Sequence, residues 1–113
     1  PASPPPPAGA LLDVVVASGE GWVEVRLVAD GQLLYSHLSL VDPPRFAVDL
    51  RGVINRVAQS SLPAGGELVE RVRVAQFTRR PPVTRVVLDL HRGDLEPRIE
   101  EIAGGLLIRV VAR

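Results

Sequence analysis

A six-residue pattern occurs twice in this chain and constrains the fold more than any other feature. Residues Arg45–Leu50 and Arg85–Leu90 both read arginine, three apolar residues, aspartate, leucine, and two consecutive prolines closely precede each copy. Successive side chains of a β-strand point to opposite faces, so the pattern is typical of a strand with one apolar face. The Arg and the Asp of one copy would lie about 13 Å apart along the other face. Each therefore requires water, a neighbouring strand or a ligand as its partner.

Further short apolar runs, separated by turn residues, follow at the spacing typical of a β-sandwich or a small barrel. Asp30-Gly31 between two such runs predicts a hairpin, and the long connection Gly52–Gly66 suggests one helical turn over Val53–Val57. The predicted strands are Leu11–Ala17, Trp22–Ala29, Leu34–Leu40, Arg45–Leu50, Val69–Phe77, Thr84–Leu90, Glu96–Ile102 and Leu106–Val111.

The order of these runs is similar in the two halves of the chain. Each half contains an apolar strand, a more polar strand and a second apolar strand, which predicts a three-strand meander in each. We therefore predict an all-β fold, a β-sandwich of two small sheets with pseudo-symmetric halves.

Composition excludes several classes of site and partner. The chain has no cysteine and only two histidines, too few for most thiolate or imidazole metal centres. All thirteen basic residues are arginine and are balanced by thirteen acids, whereas nucleic acid usually requires a basic surface. No apolar run is long enough to cross a bilayer. We predict no cofactor, no metal, no nucleic acid and no direct membrane insertion.

The first ten residues, PASPPPPAGA, are rich in proline and predict a stiff linker over residues 1–10, followed by one domain over residues 11–113. A PxxP ligand for an aromatic groove is the alternative interpretation of this segment. The chain begins in this tract without an initiator methionine, so we expect it to be part of a longer protein.

Four segments resemble the AMIN domain, in the order in which that family carries them. They are Leu40–Leu50, Val69–Phe77, Thr84–Leu90 and Gly105–Val110, and the resemblance extends over residues 12–111. One departure is Ala75, where the family often carries glycine. The resemblance implies a non-catalytic periplasmic module that anchors an envelope protein to peptidoglycan.

AMIN domains are found in type IV pilus secretins and in N-acetylmuramoyl-L-alanine amidases. The proline-rich lead and the arginine-only basic residues favour an outer-membrane secretin as the parent, with the amidase as the alternative. The arginine bias has two explanations, a GC-rich genome or selection for a planar bidentate donor.

Strand parity predicts where a ligand would bind. If Val72 and Val74 face the core, the arginines beside them and Phe77 lie on the outer face. Arginine suits the carboxylates of stem peptides, and Phe77 or Trp22 could stack on a sugar. The candidate binding residues are Arg45, Arg71, Arg73, Phe77, Arg85 and Asp89. The alternative is a solvated face in which Arg45–Asp49 and Arg85–Asp89 form cross-strand salt bridges.

Two other functions are compatible with parts of the sequence. One is a protein-docking module that binds type IV pilus or envelope assembly proteins through a sheet edge. The other is an enzyme that uses Ser36 or Ser39 with His37 and Asp42. That set lacks a nucleophile elbow and an oxyanion loop, so we predict no catalytic residues. We expect the isolated domain to be monomeric.

Overall fold

Four β-hairpins, each closed by a two-residue turn, form most of the fold in a computed structural model that describes residues 6–112. The turns are Glu20-Gly21, Asp42-Pro43, Arg80-Pro81 and Ala103-Gly104. The strands are β1 (Ala10–Gly19), β2 (Trp22–Ala29), β3 (Leu34–Val41), β4 (Pro44–Arg51), β5 (Ile54–Asn55), β6 (Ser61–Pro63), β7 (Val69–Arg79), β8 (Pro82–Leu90), β9 (Arg98–Ile102) and β10 (Gly105–Val111).

These strands form two five-stranded sheets, as the predicted β-sandwich requires. Sheet I has the order β5-β1-β2-β10-β9, and sheet II has the order β3-β4-β8-β7-β6. The halves β1–β4 and β7–β10 each contribute one hairpin to each sheet. The order β1-β2-β10-β9 in sheet I therefore corresponds to the order β7-β8-β4-β3 in sheet II, with each strand replaced by its counterpart from the other half. The predicted fold class, with its pseudo-symmetric halves, is confirmed.

The predicted three-strand meanders are wrong, because β2 and β3 lie in different sheets, as do β8 and β9. Asp30-Gly31 is therefore a crossing between the sheets and not the predicted hairpin turn. The Asp30 carboxylate accepts hydrogen bonds from the backbone N–H groups of Gly9 (2.8 Å) and Ala10 (3.0 Å). A Cβ on Gly31 would lie 2.6 Å from the Pro6 carbonyl oxygen, so only glycine fits here without displacement. The Asp-Gly pair holds the N-terminal segment in place.

The predicted helical turn over residues 53–57 is also wrong, and no residue between 6 and 112 is helical. Val53 is buried, and β5 pairs parallel with β1. The Asn55 side chain accepts a hydrogen bond from the Val57 N–H at 3.0 Å, a local bond that competes with helix formation. The Gln76 side chain bonds the Asn55 N–H and the Val53 carbonyl, which fixes the segment in extended form.

All eight predicted strands are present, although most begin or end one or two residues away from the predicted bounds. The core lies between the sheets and is formed by their inward residues, which alternate with more exposed ones along β2 and β8. Fully buried examples are Val25 and Leu27 of β2, Val86 and Leu88 of β8, and Ile108 of β10. Each such side chain contributes about 1.5–3 kcal/mol through its removal from water.

The end of the predicted linker belongs to the domain. The Ala8 N–H donates to the Gln32 carbonyl at 2.8 Å, and the Gln32 N–H donates to the Pro6 carbonyl at 2.9 Å. The Ala8 side chain is buried, and β1 begins at Ala10. Residues 1–5 of the predicted linker lie outside the described residues. Within residues 6–112, no helix is long and apolar enough to cross a membrane.

Candidate functional site

The two copies of the six-residue pattern pair with each other at the centre of sheet II. β4 and β8 are antiparallel neighbours, and their register places Arg45 opposite Asp89 and Asp49 opposite Arg85. Each charged residue therefore faces its opposite from the other copy. Arg85 forms a bidentate pair with Asp49, because its Nε and one terminal nitrogen donate to the two carboxylate oxygens at 2.7 and 3.0 Å. The alternative cross-strand pairs, Arg45–Asp49 and Arg85–Asp89, are wrong, because Asp49 pairs with Arg85 of the other copy and Asp89 pairs with Arg73 of β7.

Asp89 is the centre of a second charged group on the same face. Arg73 of β7 bonds both of its oxygens, each at 2.8 Å, in the bidentate geometry that arginine and carboxylate favour. Arg71 reaches the same carboxylate only at 3.4 Å. Arg45 lies on the other side, and its Nε donates to the Pro43 carbonyl at 3.3 Å. The Asp89 side chain is 15% exposed, whereas those of Arg71 and Arg73 are almost half exposed.

Phe77 lies against Arg85 on this outer face. The guanidinium carbon is 3.8 Å from the centre of the ring, close enough for a cation–π interaction. The pairing of β7 with β8 is irregular between Gln76 and Thr78, next to Phe77, and half of the Phe77 side chain remains exposed. The hydrogen bonds that Arg85 donates to the Asp49 carboxylate raise the pKa of Arg85, and its guanidinium remains charged at any physiological pH. One side of the ring is therefore occupied by a cation.

A shallow depression of about 360 Å³ lies beside Asp89, between the β3–β4 turn and β7. Three arginines and two prolines are among the residues that line it. Its lining residues are Pro43, Pro44, Arg45, Glu70, Arg71, Arg73, Asp89 and Leu90.

The structure places all six candidate residues on the outer face of sheet II, while Val72 and Val74 are buried in the core. Trp22 lies instead on the outer side of sheet I, against Gly19, so it cannot share a ligand surface with Phe77. His37 packs on the Phe46 ring at a centroid distance of 5.4 Å.

Sequence reasoning missed three contributors to this face. Asp49 was not recognised as the partner of Arg85, and Pro43 and Glu70 were not expected beside the arginines. The consecutive prolines immediately before Arg45 predict the turn itself, which is confirmed, but not that it lies beside Arg71 and Arg73. Among residues 6–112, no group of three or more His, Cys, Asp or Glu side chains could hold a metal ion.

Residues 13–108 match the family model of the AMIN domain, and the chain belongs to that family. No curated protein matches the chain. AMIN domains are non-catalytic modules of periplasmic and other envelope proteins, where they bind peptidoglycan and target the proteins that carry them.

Proposed function

We propose that this domain binds peptidoglycan through the outer face of sheet II and thereby localises its parent protein in the periplasm. The observation that carries the proposal is the concentration of Arg45, Arg71 and Arg73 around the single carboxylate of Asp89. The binding residues proposed are the six candidates named above.

Charge distinguishes this face from the outer face of sheet I. Sheet II presents five arginines against three carboxylates, and sheet I presents three arginines against four carboxylates. Stem peptides carry free carboxylates, which arginine binds through paired, charge-assisted hydrogen bonds. The exposed part of Phe77 adds an apolar surface on which a sugar ring can pack.

Co-sedimentation of the full chain with intact sacculi, over a series of salt concentrations, tests the proposal. We expect retention that weakens as salt increases, because exposed charges are screened. The double variant Arg45→Gln/Arg71→Gln should lose most of the retention. Arg26→Gln/Arg98→Gln removes the same charge from sheet I and serves as the matched control. Absence of retention at every salt concentration would overturn the proposal.

The parent that we propose is a type IV pilus secretin of the outer membrane. The proline-rich lead and the arginine-only basic residues support this choice over an N-acetylmuramoyl-L-alanine amidase. The complete reading frame decides between them, since a secretin carries a membrane-pore domain and an amidase carries a hydrolase domain.

A second candidate function is docking of a pilus or envelope assembly protein, and it is favoured by one edge of sheet II. β3 is an edge strand of eight residues without proline, Asp, Glu, Lys or Arg, and its Leu34, Leu38 and Val41 are exposed. Such an edge can accept a strand from another protein. A Leu38→Lys variant should retain sacculus binding. If this variant mislocalises in cells and Arg45→Gln/Arg71→Gln does not, docking and not wall binding directs the protein.

A further inference from the structure

We infer that the depression beside Asp89 is a carboxylate subsite, in which Arg45 and Arg71 receive a free carboxylate of a stem peptide. This inference rests on the proposed function and makes it more specific. Of the six proposed binding residues, it assigns the carboxylate contact to Arg45 and Arg71 alone. Arg73 and Arg85 hold the face together, and Asp89 is a positioning residue that fixes Arg73.

The hydrogen bonds already made on this face separate four of its five arginines into two pairs. Arg73 and Arg85 each commit Nε and a terminal nitrogen to a carboxylate at 2.7–3.0 Å. A guanidinium has five N–H donors. Arg71 contacts Asp89 at 3.4 Å, through an oxygen that Arg73 already binds, and Glu70 at 3.8 Å. Arg45 makes one long bond to a carbonyl. Most of the donors of Arg45 and Arg71 are therefore available to a ligand.

The register of the sheet places these two arginines on either side of one point. Arg45 on β4 and Arg71 on β7 both lie opposite Asp89 on β8. Their backbones are thus two strand spacings apart, or roughly 10 Å. Two arginine side chains can span that distance around a carboxylate between them. Pro43 and Pro44 also line the depression.

Charge also favours a single carboxylate over a neutral ligand here. Three arginines line the depression together with only Asp89 and Glu70, which leaves one excess positive charge. A carboxylate is opposite in charge to arginine and can accept two parallel N–H···O bonds from one guanidinium, which adds both energy and geometric specificity. A sugar hydroxyl or an N-acetyl group would use the same donors with less gain. The geometry therefore points to the peptide and not to the glycan at this position.

The test compares three soluble probes by calorimetric titration of the full chain. They are a muropeptide with free carboxylates, the same muropeptide with those carboxylates amidated, and glycan strands stripped of peptide. We expect amidation of the muropeptide to weaken binding by about tenfold or more, the effect of losing charge-assisted bonds. The stripped glycan should bind no better than the amidated muropeptide. In Arg45→Gln/Arg71→Gln, the free and amidated muropeptides should bind equally, whereas Arg26→Gln/Arg98→Gln should bind as the unaltered chain does.

Failure of this inference differs from failure of the proposed function. Retention on sacculi together with equal affinity for free and amidated muropeptides would overturn the subsite and leave wall binding intact. Absence of retention of the unaltered chain on sacculi at every salt concentration would overturn both the subsite and the proposed function. If the double variant melts early, the comparison of free with amidated muropeptide on the unaltered chain still decides.

Discussion

The outer faces of the two sheets share one architecture and differ in chemistry. In each sheet two hairpins meet at a central antiparallel pair, β2–β10 in sheet I and β4–β8 in sheet II. Sheet I carries one central ion pair, Glu24–Arg109 at 2.8 Å, beside exposed Trp22 and Val111. Sheet II carries arginines in excess of their carboxylates. Inward positions are restricted by packing in both sheets, so the outward positions are where two similar halves can acquire different roles.

The largest expected effects test whether the two halves are equivalent in the core. Leu27 of β2 and Leu88 of β8 are fully buried on corresponding central strands. Leu27→Ala and Leu88→Ala should each lower the free energy of unfolding by about 2–5 kcal/mol, because each leaves a cavity. Urea titration measures both values. A loss confined to one variant would show that the halves are not equivalent in packing.

The central ion pairs should show a smaller difference, in favour of sheet II. The side chains of Arg85 and Asp49 are 30% and 18% exposed, whereas those of Arg109 and Glu24 are 49% and 31% exposed. A bidentate and better shielded pair is expected to contribute about 1–2 kcal/mol, and the more exposed pair less than about 1 kcal/mol. Double-mutant cycles with alanine at each position give the two coupling energies. Equal coupling energies would contradict this distinction between the faces.

Two of the crossings between the sheets, β2–β3 and β8–β9, allow the smallest comparison, which concerns pH. The N–H groups of Ala10 and Gly9 hold the pKa of Asp30 below its ordinary value of 3.8. A carboxylate with a lowered pKa stabilises the folded state above its ordinary value, and that stabilisation is lost as the pH falls through the folded value. Asp30→Asn should therefore lower the melting temperature at pH 7, with the difference from the unaltered chain closing in acid.

The other crossing supplies the control for this measurement. Asp94 pairs with Arg92 at 3.0 Å, and its side chain is 67% exposed. Asp94→Asn should leave the melting temperature nearly unchanged, because exposed ion pairs contribute little. A pH-independent effect of Asp30→Asn would mean that the ionised carboxylate is not what holds the N-terminal segment.

Strand positions and faces could be predicted from the sequence because both depend on local alternation. Val72 and Val74 lie inward and Arg71 and Arg73 outward, as a period of two requires. Pairing could not be predicted in this way, since it depends on which strands meet after the chain crosses between sheets. Asp30-Gly31 has the composition of a hairpin turn, but contacts with a distant segment decide its geometry.

The candidate face was predictable to the same extent. Parity alone brought its arginines together, but the partner of each arginine depends on a register that no single strand encodes. Arg85 bonds Asp49, thirty-six positions away, and Arg73 bonds Asp89 from a neighbouring strand. The distinction between committed and available arginines was therefore visible only in the folded chain.

The pairing of the two pattern copies makes the motif self-complementary in charge, as a palindromic sequence is self-complementary in duplex DNA. With arginine first and aspartate fifth, two copies match in charge only when they run in opposite directions. Side by side in the same direction, arginine would meet arginine, and like charges directly opposite each other destabilise a sheet. The six residues thus specify orientation as well as strand formation. Copying one such strand is enough to supply a compatible antiparallel neighbour.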